Sequence, residues 1–190
     1  MRTIILSLTS AAILVAGFHE VGRAQEWSSA VERLDAASLA GDWAEVASTR
    51  SWALRRCVSD TRHEVRVRGT GHLAVTTACV TPQGVARRRG VIKASSGGDG
   101  RLRIRYAPWV LAWAPAAWSD FWVLGVSPDG AWLVIGDRRR DQLAVWSRTV
   151  SLDEGSFARA LAVARRAGYD VYRVHRVPQG TGPSDPIVVP

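Results

Sequence analysis

The chain has 190 residues with 25 Lys and Arg against 17 Asp and Glu, a formal charge of +8. Almost all of that charge is arginine, Lys93 being the only lysine. A basic balance can mark a nucleic-acid or anionic-membrane ligand. Here the arginines alternate with apolar residues, as in Arg62, Arg66, Arg68 (with Glu64 between) and in Arg101, Arg103, Arg105, the pattern of a solvated sheet face, which weighs against nucleic acid.

The first residues read as an export signal. Arg2 precedes a short apolar run from Ile4 to Val15, and Gly22-Arg23-Ala24 places small residues where a signal peptidase reads them, so cleavage is expected after Ala24. An uncleaved anchor helix fits less well. Ser7, Thr9 and Ser10 interrupt a run well short of the ~20 apolar residues that a span needs. Both cysteines lie far downstream, so no lipid-attachment Cys closes the signal and the mature protein is expected to be exported, periplasmic or secreted, without a lipid anchor. The expected organisation is a signal at residues 1–24, one domain over 25–178 and a disordered tail, rich in Gly, Pro and Ser, over 179–190. In an exported protein Cys57 and Cys79 can form a disulfide. A reactive thiol and a metal pair are the alternatives, the latter poor because no His cluster lies near.

Val31 to Ala40 predicts a short helical lead-in, and Trp43 to Ser48 a first strand. The polar stretch Thr49 to Arg56 breaks it. Thr61 to Arg68 and His72 to Cys79 alternate around Gly69-Thr70-Gly71, a strong hairpin signal. Thr81-Pro82-Gln83-Gly84 turns the chain into a strand over Ala86 to Ala94. Ser95 to Gly100 is a loop before Arg101 to Tyr106. An apolar loop with three tryptophans runs from Ala107 to Ser119. Phe121 to Val126, Ala131 to Gly136 and Gln142 to Arg148 complete about eight evenly spaced strands, as a sandwich or up-and-down barrel requires. One helix follows, with Ser151 as expected cap, Glu154 completing a capping box, Phe157, Ala160, Leu161 and Ala164 on one face, and Gly168 as the stop. Val171 to Val177 predicts a last strand beside the barrel edge.

Several short motifs occur in a telling order. Gly41-Asp42-Trp43 opens the first strand. Phe121-Trp122-Val123-Leu124 leads to Ser127-Pro128-Asp129. Ser147-Arg148-Thr149 ends the last barrel strand, with Leu152-Asp153-Glu154 and Gly168-Tyr169-Asp170 around the helix. Over Leu34 to Gln179 this order resembles the lipocalin family, most closely the bacterial lipocalins related to the outer-membrane lipoprotein type. The chain departs from that pattern at Ala44, where the branch commonly has Tyr, at Gly130, and over Thr49 to Arg56.

The resemblance implies an all-β fold: an eight-stranded antiparallel up-and-down β-barrel with one C-terminal α-helix packed on it. It also implies that Gly41, Trp43, Asp129 and Arg148 are a structural plug. Trp43 would close one end under Arg148, Gly41 would let the backbone pass close beneath, and Asp129 would fix its turn. The mouth would be ringed by residues 49–60, 80–85, 107–120 and 137–141, with Cys57 and Cys79 near that end. Alternation places Thr61, His63, Val65 and Val67, then Leu73, Val75 and Thr77, then Leu102, Ile104 and Tyr106 facing inward.

The ligand-binding set expected from this reading is Thr61, His63, Val65, Leu73, Val75, Leu102, Ile104, Tyr106 and Trp113. The occupant would be a fatty acid, lysophospholipid or similar lipid. No cofactor, metal site or catalytic set is expected. A lipid-modifying enzyme on the same fold and a barrel filled by its own side chains are the competing readings. The loop from Trp109 to Trp118 reads as a lid, as a membrane-surface contact or as plain core.

Overall fold

The computed structural model describes residues 30–49, 56–69 and 71–180. The expected export signal and the last ten residues lie outside them, as do residues 50–55 of the first mouth loop. Eight antiparallel strands run in chain order: β1 (Gly41–Ser48), β2 (Ser59–Gly69), β3 (His72–Thr81), β4 (Gly84–Lys93), β5 (Arg101–Arg105), β6 (Ser119–Val126), β7 (Trp132–Gly136) and β8 (Leu143–Ser147). Each pairs with the next, and β1 pairs with both β2 and β8, so the sheet closes on itself as an eight-stranded barrel. Among the described residues one α-helix, α1 (Glu154–Arg166), packs on the outside against β6 and β7.

The closed end is built around Trp43, only 2% exposed. Its indole N–H donates to the Leu39 carbonyl at 2.8 Å. The Arg148 guanidinium lies 3.5 Å from the ring centroid and donates to the carbonyls of Ser38, Ala40 and Asp42. A Cβ at Gly41 would come within 2.6 Å of that guanidinium, and its φ of +108° is one that side-chain-bearing residues rarely adopt. Gly41, Trp43 and Arg148 are thus brought together at this end of the barrel. Asp129 likewise fixes its turn, its Oδ1 accepting from the Ser127 hydroxyl at 2.6 Å and the Ala131 N–H at 3.1 Å. Those bonds hold its carboxyl below the usual range.

Four local expectations change. The lead-in is extended chain with one 3-10 turn at Ala36–Leu39, and its backbone bonds to Val123, Gly100 and Gly98 across the closed end. The helix cap is Asp153, whose side chain accepts from the Ser156 N–H, and not Ser151. An acidic cap two residues nearer the helix wins because it reaches that N–H and also favours the positive end of the dipole. Helix α1 buries Ser156, Ala160 and Ala164, while Leu161 is only half-buried, so small residues let it lie close on the wall. The last segment is a 3-10 turn at Val171–Arg173 followed by a two-residue strand, β9 (His175–Arg176), paired with β1 at Ala47 and Ser48.

That last segment has a structural role. β1 pairs with β2 only from Gly41 to Ala44, and above this point the two strands part. Residues 175–180 fill the gap. Val177 donates to Val46, Asp60 donates to Pro178, Gly180 donates to the Asp60 carboxylate, and the Gln179 side chain donates to the Glu45 carbonyl. Gln179 and Gly180, assigned to the tail on composition, are thus bonded into the barrel seam.

Candidate functional site

Inward-facing side chains divide into two levels. The lower level is a packed core of Leu39, Trp43, Val65, Leu73, Val75, Ile92, Leu102, Val123 and Leu133. Above it a cavity of about 340 Å3 opens between the ends of β1, β5 and β7. Ile104, Phe121, Ile135 and Trp146 belong both to that core and to the cavity lining, so they form its floor. Ser48, Thr49, Ala107, Ala116, Ala117, Asp120, Asp137 and Gln142 form the rim. The volume lies at the small end of the ~300–1,000 Å3 usual for ligand pockets.

One wall carries a connected line of polar groups. Glu45 Oε2 is 3.2 Å from His63 Nε2, His63 Nδ1 is 3.0 Å from Thr77 Oγ1, and Thr77 Oγ1 is 2.8 Å from the Tyr106 hydroxyl. The His63 ring stacks on Trp146 with centroids 3.8 Å apart. All four residues line the cavity. Burial pushes the Tyr106 phenol up to about 12. A phenol raised in the folded state contributes stability that is complete below its unfolded value of about 10 and lost as pH rises toward 12. Ultraviolet titration should show a tyrosinate step near pH 12 that vanishes in Tyr106→Phe. A step unchanged by the substitution would contradict the buried placement.

The expected residues are distributed across both levels. His63, Ile104 and Tyr106 line the cavity. Val65, Leu73, Val75 and Leu102 lie in the lower core. Thr61 is buried outside the cavity lining, and Val67 is 53% exposed beyond the last β1–β2 pair. Trp113 is 82% exposed. Strand alternation distinguishes inward from outward but not the height in the barrel. Glu45, Thr77, Phe121, Leu143 and Trp146 line the cavity without having been in the expected set. Glu45 was accessible to the same argument, two residues beyond the inward Trp43.

The outer stripes also hold exceptions. Glu64 and Arg105 are 8% exposed. Arg105 is drawn in because its guanidinium donates to the carbonyls of Ala107 and Pro108 and lies over the Trp118 ring. Arg103 donates to Pro115 and Trp118 carbonyls, and the Trp118 indole donates to Ala112. The tryptophan loop is therefore clamped at its base, in two 3-10 turns, and is not plain core. Its tip presents Trp109, Val110, Leu111 and Trp113 to solvent at 80, 53, 42 and 82% exposure.

Cys57 and Cys79 are joined as a disulfide, tying the first mouth loop to β3. Among the described residues no cluster of His, Cys, Asp and Glu is placed to hold a metal ion, and no helix is long and apolar enough to cross a membrane. A second depression, of about 820 Å3, lies outside the barrel between the Ser127–Trp132 turn and α1. Its acidic groups Asp129 and Asp153 are committed to the turn and the helix cap.

The model of the lipocalin-like domain matches residues 34–179. Temperature-induced lipocalin-1 of Arabidopsis thaliana is 27% identical over 163 residues, covering 84% of this chain and 87% of the plant protein. Among solved structures, lobster apocrustacyanin A1 aligns at a TM-score of 0.61 and 17% identity, covering 77% of this chain and 81% of its own. Insecticyanin from the tobacco hornworm Manduca sexta aligns at 0.60 and 12%, covering 78% and 82%.

Proposed function

The chain belongs to the lipocalin family, and from that membership we propose that it binds and stores or carries a small amphiphile, such as a fatty acid or lysophospholipid. The observation that carries this reading is the cavity itself. It is apolar on its floor, lined on one wall by four hydrogen-bonded polar groups, and open at one end. Apolar burial of the tail, at ~25 cal/mol per Å2 before ordering costs, supplies the drive. The polar line orients the head. The disulfide favours an oxidising compartment, which supports export, periplasmic or secreted. The motifs Leu152-Asp153-Glu154 and Gly168-Tyr169-Asp170 support placement in the bacterial branch.

Native mass spectrometry of the protein purified gently from its own host, with lipid identification, tests this directly. A stoichiometric co-purifying lipid is expected. A protein that arrives empty and stays empty after incubation with fatty acids and lysophospholipids would favour a barrel without a cargo.

The exposed tip of the tryptophan loop supports a second partner, the surface of a membrane. Trp109 and Trp113 stand beside the mouth but not in the cavity lining, and Arg103 lies against the same loop. Tryptophan rings sit well at the headgroup level, and arginine favours anionic lipid. Wild-type protein should co-sediment with phosphatidylglycerol-containing vesicles, and Trp113→Asp should bind about tenfold more weakly. Equal binding by the two proteins would remove the loop from the account.

A further inference from the structure

We propose that the cavity selects amphiphiles with an ammonium head, held at the Glu45 carboxylate. This rests on the carrier reading above and narrows it to lysophospholipid-like amphiphiles with an ammonium head, setting the fatty acid aside.

The argument begins with charge. In a chain of net +8 the cavity lining inverts the sign: it has three carboxylates, Glu45, Asp120 and Asp137, against one guanidinium, Arg88. Two of the carboxylates are already engaged. Asp120 faces Arg138 at 4.0 Å and accepts from the Arg138 N–H, and Asp137 accepts from the N–H groups of Asp141 and Gln142. Both lie at the rim. Arg88 is an exposed side chain with its guanidinium 4.9 Å from the Tyr106 ring centroid.

Glu45 differs. Its side chain is only 5% exposed and it lines the cavity. His63 engages Oε2. The other oxygen, Oε1, has no hydrogen-bond partner among the described residues, yet it is not sealed inside the protein as the partnerless Trp146 Nε1 is. A half-satisfied carboxylate at an apolar cavity is costly unless something charged completes it.

The donors beside Glu45 are already engaged. The second nitrogen of His63 is taken by Thr77, and Thr77 is in turn bonded to Tyr106. The Trp146 N–H is closed off from the cavity space. An alkylammonium head meets a free carboxylate oxygen beside the aromatic side chains of Trp146, Phe121 and Tyr106. A carboxylate head meets like charge.

Three ligands of one chain length, decylammonium, decanoate and decanol, would be compared by isothermal titration at neutral pH. Decylammonium should bind about tenfold or more tightly than decanoate, with decanol between them. Glu45→Gln, which keeps the shape, should erase the preference, bringing decylammonium and decanoate to equal affinity. Decanoate binding as tightly as decylammonium, or a preference that survives in Glu45→Gln, would overturn the inference. The wild-type ranking decides the matter even if the variant does not fold. Failure of all three ligands to bind would overturn the carrier reading itself, and the head-group inference with it.

Discussion

Replacing Trp43 with alanine should destabilise the protein by about 3–5 kcal/mol, the range for deleting a large buried aromatic side chain. The ring is 2% exposed, bonded through its N–H to Leu39, and covered by the Arg148 guanidinium. Its removal leaves a void in the lower core, against Leu39 and Arg148. It also strips the aromatic face from an arginine that holds the carbonyls of Ser38 and Ala40 in the lead-in and of Asp42 in β1. For a domain of this size the melting temperature should fall by roughly 10 °C. Urea denaturation would measure the loss. A change below about 1 kcal/mol would mean that neighbouring side chains collapse into the space and that Trp43 is not the plug.

The double variant Cys57→Ser, Cys79→Ser should cost about 3 kcal/mol, because the bond closes a loop of 22 residues in the unfolded chain. The effect should be reproduced by a reductant on the wild-type protein and should be absent when the same reductant is applied to the variant. The two changes lie at opposite ends of the barrel, so their costs should add in a combined variant. Equal stability of wild type and the serine variant would show that the first mouth loop is fixed by other contacts.

Much of the architecture was legible in the chain. The β2–β3 hairpin, the Ser127-Pro128-Asp129 turn and the order of eight strands all appear where local chemistry put them. These features depend on neighbours in sequence: glycines that allow a turn, an Asp that bonds the backbone two residues on, alternation along a strand. The cavity depends on something else. Val75 and Thr77 both face inward on β3, yet one is packed in the lower core and the other lines open space. The difference is their height above Trp43, which is set by the stagger of eight strands together. Arg105 shows the same limit from outside. Its stripe reads as solvated, but the loop after it supplies carbonyls and a tryptophan face that pull it in. Glu64 is buried beside Arg66 for a comparable reason: a long neighbour covers it.

The closure of the ring has a kinetic consequence. Ala44 on β1 pairs with Ser147 on β8, about a hundred residues later. None of the intermediate strands supplies that partner, so during folding the second edge of β1 stays open until β8 has formed. The seam made by residues 175–180 comes later still. Such distant pairings make for slow, late closure, on the millisecond-to-second scale of β-rich domains. The period of greatest hazard for this protein is therefore the interval before β8 arrives, when an unpaired strand edge is available to another molecule.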